Sequence, residues 1–308
     1  YGAYGGAIFV WGKNLLISDS QFTGNEVFGE GGAVNYDGYS YVSGTERLAV
    51  CGSRFRHNTS VHHGSALKAY LYEDNVAVYT HCEFLGNENT SDGSSGNGYG
   101  ALYHHGAPME LANSSFIDNL TGTSAAGLYL DAEGTATVTN CTFAGNRSLG
   151  DGSFGGAIFH TEDSAGTYRN CTFAGNRAST GSAIYRSGAP LSIHNSIFAD
   201  NRASEDDNTP TACFMTHDGD NNLQWAAGFE ADDQTLCATG TTFVDPLLSS
   251  AQDNGGVVST CAIDPLSPAV GMGVDCPDDD GRGFARDDDC DAGAFEAGAL
   301  EARTISRR

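Results

Sequence analysis

Lysine is nearly missing from this chain of 308 residues: Lys13 and Lys68 are the only two, among 15 basic against 39 acidic side chains. The balance of −24 excludes a nucleic-acid binder, whose grip on phosphate comes from clustered Lys and Arg. No apolar run approaches the roughly 20 residues that a spanning helix needs, so no membrane span is expected. Proline is scarce at 7, and the 41 glycines show no three-residue period, which excludes collagen. None of the 9 cysteines is spaced Cys-x-x-Cys, against structural zinc. Amphipathic stretches with a 3.6-residue spacing are missing too, so a helical solenoid does not fit.

What the chain has is a repeat. Phe-x-x-Asn recurs seven times, at Phe22/Asn25, Phe55/Asn58, Phe84/Asn87, Phe116/Asn119, Phe143/Asn146, Phe173/Asn176 and Phe198/Asn201. Successive phenylalanines are 33, 29, 32, 27, 30 and 25 residues apart. Between them lies a small-residue unit such as GGAIF at 5–9, GSALK at 64–68 or YGALY at 99–103. Apolar runs are short and alternate with period two, as Leu191-Ser192-Ile193 does. Each rung therefore reads as short strands joined by turns, the size of one coil of a parallel β-helix. The chain opens at Tyr1 inside a repeat, as a processed product or part of a longer polypeptide would.

Side-chain parity sets the faces. Ile8, Val34, Leu67, Leu102, Leu128, Ile158 and Ile184 point inward, as do Ile17, Val50, Tyr79, Leu111, Val138, Tyr168 and Ile193, five residues before each Phe. Two before each Phe the residue is Ser or Cys. Positions −5 and −2 cannot share a face of an unbroken strand, so the chain bends between them. Asn113, Asn140, Asn170 and Asn195 recur at that bend, where a left-handed conformation suits Asn. Stacked Asn side chains would form ladders there and at Phe-x-x-Asn. Asn58, Asn113, Asn119, Asn140, Asn146 and Asn170 lie in Asn-x-Ser/Thr sequons, but ladder positions leave no room for a glycan. Loop residue Asn89 does.

Alternation of GGA[ILV] with Phe-x-x-Asn resembles the repeats of chlamydial polymorphic outer membrane proteins. The tail, DPLLSSAQDNGGVVSTCAIDPLSPAVGMG (245–273) and then DDGRGFARDDDCDAGAFE (279–296), resembles the choice-of-anchor Q domain. Together the two cover about 290 residues of the sequence. The resemblance implies an all-β, right-handed single-stranded parallel β-helix of the pectin lyase-like kind, displayed outside a bacterial cell. One departure is that only a dozen residues follow Phe295-Glu296, and they show no recognisable anchor. The expected organisation is repeats over 1–205, last coils and an irregular C-terminal cap over 206–296, and a tail at 297–308, with seven to nine coils.

Cys51, Cys82, Cys141 and Cys171 belong to the repeats and read as free thiols. In the irregular segment, where cross-links contribute most, Cys213–Cys237 and Cys276–Cys290 are the expected disulfides, with Cys261 the odd one. Bonded cysteines place the protein extracellularly or on a bacterial cell surface. Two acidic clusters are candidates for calcium: Asp218, Asp220 and Asn222, with oxygens at alternate residues, and Asp278 with Asp280 in a denser run. Their plain alternative is solvated acidic loop. No other cofactor is expected.

For function, Tyr103, Tyr129, Phe159 and Tyr185 follow the inward aliphatics and would stack as an aromatic strip on the outside. It would serve either as a surface for glycans or a partner, or to stabilise the strands under a covering loop. Lys68 with His62, His63, His104 and His105 is the one basic concentration, in or beside variable loops. A polysaccharide lyase would need such a base, but the acidic surface repels a polyuronate and no hydrolase signature stands in order. The leading expectation is a non-enzymatic structural or adhesive module. It would present loops such as 36–46 and 88–98, with a protein partner or neighbouring subunit at its N-terminal coil. The alternative is a lyase-like carbohydrate-active enzyme.

Overall fold

The computed structural model describes residues 3–38, 47–72, 75–92, 98–132, 135–161, 164–203 and 209–299. They form a right-handed parallel β-helix of about seven coils. Wall 1 stacks seven strands: Ile8–Trp11, Val34–Asp37, Leu67–Tyr70, Leu102–Gly106, Leu128–Ala132, Ile158–His160 and Ile184–Tyr185. Wall 2 has seven, from Leu15–Ser18 to Ser192–His194. Wall 3 has nine, from Gln21–Thr23 to Thr241–Phe243, and a five-stranded ladder from Glu26–Val27 to Arg147–Ser148 turns back toward wall 1. The register keeps the sequence repeat: Leu67 pairs Leu102, Tyr79 pairs Leu111, and Phe116 pairs Phe143.

Both inward columns are buried as parity requires, Ile8 and Ile17 of the first coil least completely. The seven phenylalanines form one continuous stack with centroids 4.5–5.1 Å apart and planes within 10°. Beside it runs the Phe-x-x-Asn ladder. Each Asn Nδ2 donates to the Oδ1 of the Asn one coil on, at 2.8–3.0 Å, from Asn25 through to Asn201. From Asn58 onward each Nδ2 also donates to the carbonyl of the Phe one coil back. Buried amides thus find partners at every level, which an apolar interior demands.

The bend between walls 2 and 3 is left-handed, with φ near 50° at Asn113, Asn140, Asn170 and Asn195. These asparagines pair only two by two, Asn140 to Asn113 at 3.0 Å and Asn195 to Asn170 at 3.2 Å. Asn113 Nδ2 meets His81 Nε2 at 3.3 Å, and the other three reach the C-terminal segment, whose Asp279, Asp291 and Val274 carbonyls accept from Asn140, Asn170 and Asn195. Asn89 is a correction: it is buried, with Nδ2 donating to Ser60 Oγ and the His62 carbonyl, and offers no exposed amide for a glycan.

Disulfide Cys213–Cys237 closes the last coils, and Cys276–Cys290 closes a loop in the tail. Cys51, Cys82, Cys141, Cys171 and Cys261 are free. The expected cap needs refining. Residues 246–297 do not sit over the end of the helix; they double back as a strap along the outside of wall 3. Val257 reaches Arg54, and Ser259 donates to Glu83 at 2.9 Å. The cause is apolar surface: Leu85, Ile117, Ala144 and Ala174 face outward on wall 3 and pack against Leu248, Ala251 and Cys261.

The strap's lock is Arg282. Its guanidinium lies 4.4 Å from the Phe284 ring centre and 3.8 Å from that of Phe295, and pairs with buried Asp280 at 2.7 Å. Arg286 pairs with Glu296 at 2.7 Å and donates to Asn140. Gly293, at φ 93°, lies where a Cβ would come within 2.7 Å of Ile197, which is why the strap can touch the wall there.

Candidate functional site

The strap lies along wall 3 and leaves the outer face of wall 1 open. Successive outward positions make two lanes along it. One reads Phe9, Asn35, Lys68, Tyr103, Tyr129, Phe159, Tyr185, and the other reads Trp11, Asp37, Tyr70, His105, Asp131. Residues just before the small-residue turns, including Glu30, His63, Tyr99 and Phe154, lie alongside.

The aromatic strip forms as expected but is not an open platform. Tyr103 and Tyr129 are parallel within 2° at 4.9 Å, and Tyr129 lies 5.4 Å from Phe159 and Phe159 4.9 Å from Tyr185. Tyr99 stacks on Tyr129 at 4.4 Å and Phe154 on Tyr185 at 4.5 Å. His63 stacks on Tyr103 at 4.4 Å at one end, and Phe214 on Tyr185 at 5.0 Å at the other. Tyr99, Tyr103 and Tyr129 meet face to face, whereas Phe154, Phe159 and Phe214 meet Tyr185 at a tilt of 37–39°. Stacked rings on neighbouring strands of this kind stabilise a sheet.

Open aromatic surface lies further toward the first coil. Tyr4, Phe9 and Trp11 are each about half exposed and rim a cleft of about 400 Å³ with Glu30, Asn35, Asp37 and Lys68. Lys68 Nζ is bound to Glu30 Oε2 at 2.6 Å and lies 5.5 Å from the Tyr70 ring centre. Beside it His105 Nδ1 meets Asp131 Oδ2 at 2.6 Å, and Thr161 donates to the other oxygen at 3.0 Å. The hydrogen bond from His105 holds the Asp131 carboxyl below its usual range. Burial pushes His63 down to about 4, leaving a neutral imidazole. Tyr4 stacks on Phe9 at 5.8 Å, and Asn35 is buried with its Nδ2 on the Glu30 carbonyl, so the cleft presents half-exposed aromatic rings beside carboxylates and an ammonium already neutralised.

The family model described as right handed beta helix region matches residues 6–198, well over half of the chain. The chain belongs to this family. No curated protein and no solved structure matches it.

In this right-handed β-helix the remaining expected site residues scatter. His104 is a correction: two residues past inward Leu102, it points into the core, wholly buried. There Nε2 meets the Ala107 carbonyl at 2.7 Å and Nδ1 meets Tyr79 at 3.3 Å. Only its neighbour His105 faces out. Neither calcium set converges. Asn222 is buried as a rung, accepting from the Ser196 amide and donating to the Ile193 carbonyl. Asp220 binds His194 at 2.5 Å, while Asp218 is exposed. Both carboxylate oxygens of Asp280 are taken, by Arg282 and by the amides of Arg282, Phe284 and Glu296, and Asp278 lines a separate acidic cleft with Asp275, Asp287 and Asp288. Among the described residues no group of three or more His, Cys, Asp or Glu is placed to hold a metal ion. Much of the two loops expected to meet a partner, 39–46 and 93–97, lies outside the described residues, as do Tyr1 and the tail at 300–308.

Proposed function

We propose that the protein is a structural and adhesive module displayed outside a bacterial cell, of the choice-of-anchor Q and polymorphic outer membrane protein type, and that wall 1 acts by binding. The observation that carries this reading is the cleft of Tyr4, Phe9, Trp11, Glu30, Asn35, Asp37 and Lys68. Half-exposed aromatic rings beside planar carboxylates suit a neutral, hydroxyl-rich ligand such as a surface glycan. Leu16 and Phe28, exposed elsewhere on the same coil, are further apolar surface on which a protein partner or neighbouring subunit would rest.

Two disulfides support an oxidising location. The tail signature supports the family type, because its residues are those that lock the strap: Asp280, Arg282, Asp291, Gly293 and Glu296. A polyuronate lyase fits less well. Its base must be free and a cation must neutralise the uronate, whereas Lys68 is held by Glu30 and the face carries Glu30, Asp37 and Asp131.

Titration of neutral oligosaccharides against the tryptophan fluorescence of the whole chain tests this. A saturable change that Trp11→Ala removes is the expected result. No binding across a glycan panel, with Trp11 shown to be accessible to a neutral quencher, overturns the glycan reading.

A further inference from the structure

A second constellation lies on a different wall and does not rest on the reading of wall 1. On the last strand of wall 2, Ser192 and His194 are two residues apart and so share the outward face. Ser192 Oγ stands 2.9 Å from His194 Nε2, and His194 Nδ1 stands 2.5 Å from Asp220 Oδ1, one coil further on. A hydroxyl, an imidazole and a carboxylate are thus joined in series through the two different ring nitrogens. This is the order a nucleophile, its base and the group that orients the base require. With Nδ1–H given to Asp220, Nε2 carries the lone pair and the Ser192 hydroxyl donates to it.

The surroundings are those of a small polar site. A cleft of about 170 Å³ opens beside His194, lined by Arg169, Asp220, Asn221, Val274 and Asp275. Arg169 is the register neighbour of His194, and its Nη1 is anchored on the carbonyl oxygens of Asp275 at 2.7 Å and Val274 at 3.4 Å. The strap therefore forms one lip of the cleft and fixes a guanidinium over it. Ser192 is flanked in register by Thr167 and Asp218 and is half-exposed, leaving its hydroxyl within reach of a substrate.

We propose that Ser192, His194 and Asp220 form a hydrolytic site for small acyl esters of hydroxyl-rich alcohols. Ser192 Oγ attacks the ester carbonyl carbon, forming the new C–O bond while its proton passes to His194 Nε2. The tetrahedral adduct then breaks its bond to the alcohol oxygen, which leaves with the proton from His194. Water, deprotonated by the same nitrogen, frees the acid and restores Ser192. The polar walls of the cleft accept the alcohol portion. Asp220 touches no substrate; it is a positioning residue that holds the imidazole tautomer.

The test uses the whole chain with p-nitrophenyl acetate and a fluorophosphonate probe. Expected are saturable hydrolysis and a single phosphonylated peptide carrying Ser192. Ser192→Ala should abolish both, His194→Gln should lower the rate about 100-fold or more, and Asp220→Asn should lower kcat with little change in KM. Trp11→Ala should leave all of this intact, which separates the site from wall 1. All four positions are at the surface, so equal thermal unfolding midpoints verify folding. Labelling at another residue, no labelling of the wild type, or an unchanged rate in Ser192→Ala overturns the proposal.

Discussion

The coils and the strap are held by opposite strategies. In the coils one solution is copied at every level: a Phe on a Phe, an Asn on an Asn, a left-handed residue at the same corner. Along the strap nothing recurs. Arg282 occurs once, sandwiched once, paired once. A repeated contact is one of many equivalent terms in a nearly one-dimensional sum, whereas a single-copy contact has no understudy.

Four measurements would break or sharpen that contrast. The largest effect is expected at Arg282. Arg282→Ala leaves Asp280 charged and buried, and losing one partner of a buried pair costs about 3–5 kcal/mol. Limited proteolysis should open 246–297 first while the far-ultraviolet β signal persists. Simultaneous loss of both would mean that coils and strap form one cooperative unit.

Next is acid. Burial pushes His104 down to about 4 and His160 to about 3. Unfolded histidine takes up its proton near 6.5, so between that pH and the folded values the unfolded state binds more protons. Stability is whole above about pH 6.5 and falls as pH drops toward 4, by about 3 kcal/mol for fully buried His104. The strap should respond with the opposite sign, because burial raises the carboxyls of Asp291 and Glu296 and so favours their protonated folded forms. Unfolding midpoints followed from pH 7 to pH 4 should fall in wild type and fall less in His104→Gln. An unchanged slope would count against a neutral, buried His104 as the source of the effect.

A smaller effect is expected at Asn146→Ala, which leaves the Asn119 amide and the Phe116 carbonyl without their partner. About 1–3 kcal/mol is expected by denaturant titration; a much larger loss would show that the ladder acts as a whole. Smallest is Glu30→Gln. The Lys68 pair is partly exposed, so less than about 1 kcal/mol of stability should go, while ligand binding in the cleft changes more.

The coils were readable because every residue of a column is a repeated measurement of the same environment. Seven small aliphatics at one offset leave one inward face, and four asparagines at another leave one left-handed corner. His104 and His105 show the limit. Parity from Leu102 sends the first inward and the second outward, yet adjacent histidines look alike until the strand is known to reach Gly106. The disulfides followed from where core is thin. The path of the strap did not, since its partners lie 79 to 203 residues away and occur once. Asp280 looked like a calcium ligand because a carboxylate run carries no sign of the arginine folded onto it. Ser192-x-His194 carried a signal in its alternation, but Asp220 joins it only once the spacing of one coil is applied.

The Phe-x-x-Asn ladder also has a direction. Each Asn from Asn25 to Asn176 gives its main-chain N–H to the Oδ1 of the Asn one coil on, ending at Asn201. A break that starts and ends just after a ladder Asn presents the same donor to the same acceptor, so the chain can be edited in whole words. Excising 120–146 would bring Asn119 against Asn176, whereas a cut of half a coil would leave the grammar broken on both sides. A gene encoding such a protein can lengthen or shorten its product by unequal exchange without redesigning a single contact inside the stack.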